Sequence, residues 1–135
     1  LAEMIEMIMT RPLRIAVADD EPDVREYFRR MLPRLGHEVV ATAATGRELV
    51  ELCRQQNPDL IIADLRMPDL DGDDAIQEIC AVRPTPFILV SAYSKPAIMP
   101  GGLGVIESAY LTKPVKREDL KEAIDQVCPS GADHE

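Results

Sequence analysis

The chain is 135 residues long, 46% apolar but only 4% aromatic and without Trp, which fits one domain with a core of Ile, Leu, Val, Ala and Met. Its 24 acids against 15 bases leave a net charge of −9, a balance that repels nucleic acid and anionic membranes unless one face is locally basic. No window reaches the ~18 uninterrupted apolar residues of a membrane span, and the acidic start (Glu3, Glu6) lacks the basic region of a secretory signal.

Residues 1–12 are expected to be an N-terminal extension, with Met9 a candidate natural start and LAEMIEMI an upstream stretch. Five short apolar runs follow, separated by segments of helical character. Leu13–Ala18 (LRIAVA) leads into a predicted helix over Pro22–Leu32, where Pro22 suits a first turn. Glu38–Ala43 (EVVATA) precedes a helix over Gly46–Gln56, with Thr45 as its candidate N-cap. Asp59–Ala63 (DLIIA) and Pro86–Val90 (PFILV) are apolar on both faces, as strands covered by helices on each side must be. Between those two runs lies a predicted helix over Asp73–Val82, with Asp71 as candidate N-cap.

Ser108–Leu111 (SAYL) is the fifth run, and Lys116–Cys128 after it places Leu120, Ile124 and Val127 at helical spacing. Residues 95–104 (KPAIMPGGLG) carry two prolines and three glycines, so the fourth helix expected there is short or irregular, in a mobile stretch. Residues 129–135 read as a frayed tail. Strict strand–helix alternation implies right-handed crossovers and a three-layer, parallel-sheet domain. Cys53, Cys80 and Cys128 are odd in number and widely spaced. They suit a reducing cytosol, and all three are expected to be buried, inert thiols. His37 and His134 fall in a turn and in the tail, with no partner at ligand spacing.

The chemistry gathers where the runs stop. The first ends in Asp19-Asp20, the third in Asp64 and the fourth in Ser91, while the fifth leads to Lys113. In an open parallel sheet, ligands bind beyond the carboxyl ends of the strands, where strand order reverses. An order of 2-1-3-4-5 would set Asp20 and Asp64 on adjoining strands, with Ser91 and Lys113 further along the same edge. Crowded carboxylates repel one another unless a cation neutralises them. Carboxylates, a backbone carbonyl and waters make a Mg²⁺ site that phosphate oxygens complete. A carboxylate held at such a socket, beside a lysine, can attack phosphorus and form an acyl phosphate.

The segments IAVADDEP, DLRMPDLDG, LVSA and YLTKP, in this order and spacing, resemble the receiver domain of bacterial two-component response regulators. The resemblance covers about residues 13–127 and sets expected bounds of 13–128 for the domain. It implies a flavodoxin-like (βα)5 doubly wound sheet in a cytoplasmic phosphorelay protein. The expected donor is a sensor histidine kinase or a phosphotransfer protein. Asp64 would be the phosphoacceptor. Mg²⁺ would be held by Asp20 and Asp64 directly, by the backbone carbonyl of Arg66, and by Asp19 mainly through water. Ser91 would donate a hydrogen bond to the phosphoryl group, and Lys113 would pair with its charge. Lys113-Pro114 corresponds to a cis peptide in the family, and Tyr110 to an aromatic switch that turns inward when Ser91 moves.

Arg66 and Tyr93, two residues past the acceptor and past Ser91, stand at the expected mouth of the site. Their bulk should shield an acyl phosphate from water. No enzymatic activity is expected beyond self-phosphorylation and self-dephosphorylation. The downstream effector is left open, a homodimer is one possible assembly, and neither nucleic acid nor a membrane is an expected partner of this chain. The runs LRIAVADDE and GHEVVATAATGRELVE are also similar to receivers that precede RNA-binding antitermination (ANTAR) domains.

Taken singly, each of these residues has an ordinary structural reading: a solvated Asp-Asp turn, a surface Ser or Lys, a core Tyr. The joint pattern outweighs those readings. Asp69, Asp71, Gly72 and Glu78 match four positions of a calcium loop, but Met67 would be its first ligand and a strand precedes it, so that reading fails. A metal-dependent phosphohydrolase also uses a strand-end Asp. It ranks low, because Arg66 replaces the general acid such enzymes carry two residues later. A phosphorylation-independent binding module is the remaining alternative. Asp73, where the family places an apolar residue, and the Pro/Gly-rich 95–104 stretch are the departures that bear on partner binding.

Overall fold

The computed structural model describes residues 12–92 and 106–129. The strands are β1 (Arg14–Ala18), β2 (Glu38–Ala43), β3 (Leu60–Asp64), β4 (Phe87–Ser91) and β5 (Ser108–Thr112). The helices among the described residues are α1 (Pro22–Arg34), α2 (Gly46–Gln56), α3 (Gly72–Val82) and the C-terminal α4 (Arg117–Val127). The expected irregular helix over 95–104, Tyr93, the N-terminal extension up to residue 11 and most of the tail lie outside the described residues.

The five strands form one parallel sheet in the order β2-β1-β3-β4-β5, the doubly wound, flavodoxin-like arrangement. Side chains alternate across it with period two. Ile15, Val17, Leu60, Ile62, Ile88 and Val90 face α1 and α4, where they meet Phe28, Leu32, Leu120 and Ile124. Ala16, Ala18, Ile61, Ala63, Phe87 and Leu89 face α2 and α3, with Leu49, Val50, Ile76 and Ile79. β3 and β4 are buried along their whole length, which is why their sequences are apolar without alternation. Each large side chain buried this way contributes about 1.5–3 kcal/mol.

Local chemistry explains the helix ends, and two of them correct the sequence reading. Thr45 caps α2 as expected, its side chain accepting from the Glu48 N–H at 3.1 Å, while the Glu48 carboxylate accepts from the Ala44 N–H at 2.8 Å. α1 runs past its expected end at Leu32, through Pro33 to Arg34. Pro33 lies in the last turn, and the helix is closed behind it by a C-terminal motif in which Gly36 N–H donates to Pro33 O and His37 N–H to Leu32 O, both at 3.0 Å. That closure needs the left-handed backbone of Gly36, with φ at 92°. Asp71 does occupy the N-cap position of α3, but its side chain makes no capping bond. It turns back toward Arg66 and Met67. Of the thiols, Cys53 and Cys80 are buried, whereas Cys128 is only partly covered. Burial raises the Cys53 thiol to about 12 and also raises Cys80, which keeps both unreactive.

Candidate functional site

Asp19 leaves β1 under tight backbone control. Its N–H donates to Ala43 O at the end of β2 (3.0 Å), and its Oδ1 accepts from the Glu21 N–H at 2.9 Å, turning the chain into α1. Arg25 donates back to the Asp19 carbonyl at 2.8 Å. Asp64 is the last residue of β3, paired with Val90, one residue before Ser91. Ser91 in turn pairs with Thr112, one residue before Lys113, and the Lys113 N–H donates to Ser91 O at 2.7 Å. Neighbouring strands thus present Asp64, Ser91 and Lys113 in succession along one sheet edge. The Lys113–Pro114 peptide is cis.

The acids converge. Asp19, Asp20 and Asp64 each offer a carboxylate oxygen within 4.8 Å of the others. Asp19 is 1% and Asp64 7% exposed, while Asp20 opens to solvent. The Lys113 ammonium stands 2.9 Å from Asp19 Oδ2, 3.5 Å from Asp64 Oδ2 and 3.9 Å from Glu21. Burial, and after it the charge of Asp19, raise the Asp64 pKa, against the opposing pull of Lys113 and of the Arg66 backbone N–H. Burial alone would lower the pKa of Lys113, but the carboxylates of Asp19, Asp64 and Glu21 outweigh it and raise it. Three acids around one ammonium leave an excess of negative charge in a poorly solvated pocket.

The donor set suits a small, hard cation. All three side chains supply carboxylate oxygens, the ligands Mg²⁺ takes. Asp19 Oδ2 is buried without a hydrogen bond of acceptable geometry, despite the nearby ammonium. That oxygen faces one ammonium, but three carboxylates gathered around it leave net negative charge that a further cation would offset, so the residues present fit the metal.

Around the acids, Arg66 projects outward with its side chain 73% exposed and forms an ion pair with Asp71 at 3.1 Å. Tyr110, in β5, is half-buried and packs against the core shared with α2 and α3. Tyr93 is not among the described residues. Sequence reasoning passed over Glu21 and Arg25, and weighed Gly72 only as part of a calcium loop. A Cβ on Gly72 would lie 2.1 Å from the Asp64 carbonyl oxygen, so only glycine lets the start of α3 close against the end of β3. The DG pair in DLRMPDLDG was the available signal for that contact.

Comparison with known proteins agrees with this geometry. The family model described as response regulator receiver domain matches residues 15–125. The chain belongs to the response regulator receiver family. Among curated relatives of this receiver, the transcriptional regulatory protein PdtaR of Mycobacterium tuberculosis is 38% identical over 114 residues, which cover 84% of this chain and 56% of PdtaR. This receiver therefore spans little more than half the length of that relative. The chemotaxis protein CheY of Thermotoga maritima is 30% identical over 84% of this chain and 96% of its own. Among solved structures, the signal receiver domain of the putative response regulator NarL from Mycobacterium tuberculosis superimposes with a TM-score of 0.74 at 31% identity, covering 84% of this receiver and 94% of that chain. Receivers of this family are phosphoacceptor switches of two-component signalling, and no helix among the described residues here is long and apolar enough to cross a membrane.

Proposed function

We propose that this receiver accepts a phosphoryl group on Asp64 in a Mg²⁺-dependent reaction and changes conformation to regulate a partner or an attached output domain. The donor is the phosphohistidine of a sensor histidine kinase or a phosphotransfer protein. The supporting observation is the convergence of three carboxylates within 4.8 Å of one another, with Lys113 between Asp19 and Asp64. An Asp64 oxygen attacks phosphorus, the N–P bond of the donor breaks, and its electron pair stays on the imidazole, which takes up a proton.

Asp19, Asp20, Asp64 and the Arg66 carbonyl would hold Mg²⁺, Asp19 mainly through water. When bound, the ion offsets the charge of the carboxylates and of the transferring oxygens. Lys113 then pairs with the phosphoryl charge and Ser91 donates a hydrogen bond to it, which favours one of two conformations. Tyr110, on the strand beside Ser91, transmits the change toward the outer face of β5 and α4. The groove there, about 280 Å³ and bordered by Asp119 and Glu122, is the candidate surface for output or for a homodimer. The working unit is residues 13–128, flanked by an extension (1–12) and a tail (129–135), in the cytoplasm.

In Mg²⁺, a small-molecule phosphodonor should add one phosphoryl group to the wild-type chain and none to Asp64→Asn, as read by intact mass. Equal labelling of the Asn variant would overturn the assignment, and equal labelling in a chelator would remove the metal from it.

A further inference from the structure

We propose that Asp71 is a positioning residue for the metal: its carboxylate sets the plane of the Arg66–Met67 peptide and so aims the Arg66 carbonyl. This rests on the Mg²⁺ reading above. Asp71 holds the N-cap position of α3 with extended backbone (φ −64°, ψ 158°) but makes no capping bond. A capping Asp contributes about 1 kcal/mol to its helix, so the side chain has been diverted from a favourable contact.

The diversion is specific. Oδ1 accepts from the Met67 N–H at 3.4 Å, and Oδ2 accepts from Arg66 Nη1 at 3.1 Å. An ion pair as exposed as the second contributes little stability, which leaves orientation as the consequence of the arrangement. In a planar trans peptide, N–H and C=O point in opposite directions. Drawing the Met67 N–H to Asp71 therefore turns the Arg66 carbonyl, the backbone ligand of the proposed site, away from Asp71.

Other bonds define the path of this loop without setting that plane. Gly72 N–H donates to Leu65 O and Leu70 N–H to Pro68 O, both at 2.8 Å, and Gly46 N–H donates to Pro68 O at 3.4 Å. A Cβ on Gly46 would lie 2.0 Å from the Leu70 carbonyl oxygen, so the loop rests directly on the start of α2. These contacts tie residues 65, 68, 70 and 72. Among the described residues, the bond that the 66–67 peptide makes is the one from the Met67 N–H to Asp71. One carboxylate thus accepts from both the Met67 N–H, whose peptide carries the Arg66 carbonyl, and the Arg66 guanidinium.

The test compares Asp71→Ala, Asp71→Ser and Asp71→Asn with wild type. All three remove the same charge. Asn alone keeps an oxygen able to reach the Met67 N–H, whereas Ser can restore the helix cap and so preserve folding. Two readouts are taken: hydrogen exchange of the Met67 amide without metal, and Mg²⁺ affinity by calorimetry. Asp71→Asn should keep the amide protected and Mg²⁺ affinity near wild type. Ala and Ser should expose the amide and weaken Mg²⁺ about tenfold or more, the range seen when a partner orienting a metal ligand is lost. Wild-type affinity in Ala and Ser, or equal weakening in all three, would overturn the inference, since equal weakening reports charge rather than aim. If wild type itself takes up no Mg²⁺, the metal reading fails and the inference with it, while the exchange data still report whether Asp71 holds the peptide.

Discussion

Arg66 follows Asp64 by two residues and projects from the acidic pocket, its guanidinium drawn to Asp71. Water that hydrolyses an acyl phosphate must approach phosphorus from the side opposite the Asp64 oxygen, through the mouth of the site. A bulky side chain there excludes it. Arg66→Asn, and Tyr93→Ala two residues past Ser91, should each shorten the lifetime of the phosphorylated chain severalfold. Phosphate release after removal of the donor measures it, and unchanged hydrolysis in both variants removes the shielding idea. The acids themselves were legible in the sequence because each terminates an apolar run, so strand direction alone aims them at one edge. Asp71 was not. An Asp before a predicted helix reads as a cap, and its reversal onto Met67 depends on a loop path that no short-range pattern encodes.

Among the elements, the strands were legible to within a residue or two, because burial on one face or both leaves a direct trace in the order of apolar residues. Helix ends were less so. The expected helix ended at Leu32, yet α1 runs through Pro33 to Arg34, and Gly36 closes the turn behind it. The same turn carries a pH-sensitive contact. His37 Nδ1 accepts from the Leu13 N–H at 3.1 Å, pinning the α1–β2 turn to the residue before β1. An accepting Nδ1 requires the neutral ring. Burial lowers the His37 pKa from its ordinary 6.5, against the opposing charge of Asp125. The folded state therefore binds the proton less well than the unfolded one. The contribution of this contact is complete above pH 6.5 and declines as pH falls from there toward the folded pKa. His37→Asn keeps an acceptor without a proton to gain. The stability difference between wild type and this variant, from urea unfolding, should shift against wild type between pH 7.5 and 5.5. A pH-independent difference would refute the account.

At the scale of the molecule, the alternation of strands and helices implied right-handed crossovers and a parallel three-layer sheet, while the order 2-1-3-4-5 came with the family resemblance; that order brings Asp19, Asp20 and Asp64 to one crevice. How deeply those acids are buried was not readable, because it depends on how closely α1 and the β3–α3 loop pack over them. That depth gives the site a cost borne by the whole fold. The Asp64 pKa is raised above its ordinary 3.8, chiefly by burial and then by Asp19. Stability from the protonated form is complete below 3.8 and is lost as pH rises through the folded value, so at neutral pH the metal-free fold carries an unfavourable charge. Lys113 offsets part of it, since the net shift remains upward. Asp64→Asn in a chelator should therefore unfold at higher urea than wild type. Mg²⁺ should reverse the comparison by stabilising wild type by RT ln(1 + [L]/Kd), about 2.7 kcal/mol at a hundredfold excess over Kd, and should stabilise the Asn variant far less because a charged ligand is gone. An Asn variant less stable than wild type without metal would mean that Lys113 already balances the pocket, and the electrostatic case for a cation would lose its basis.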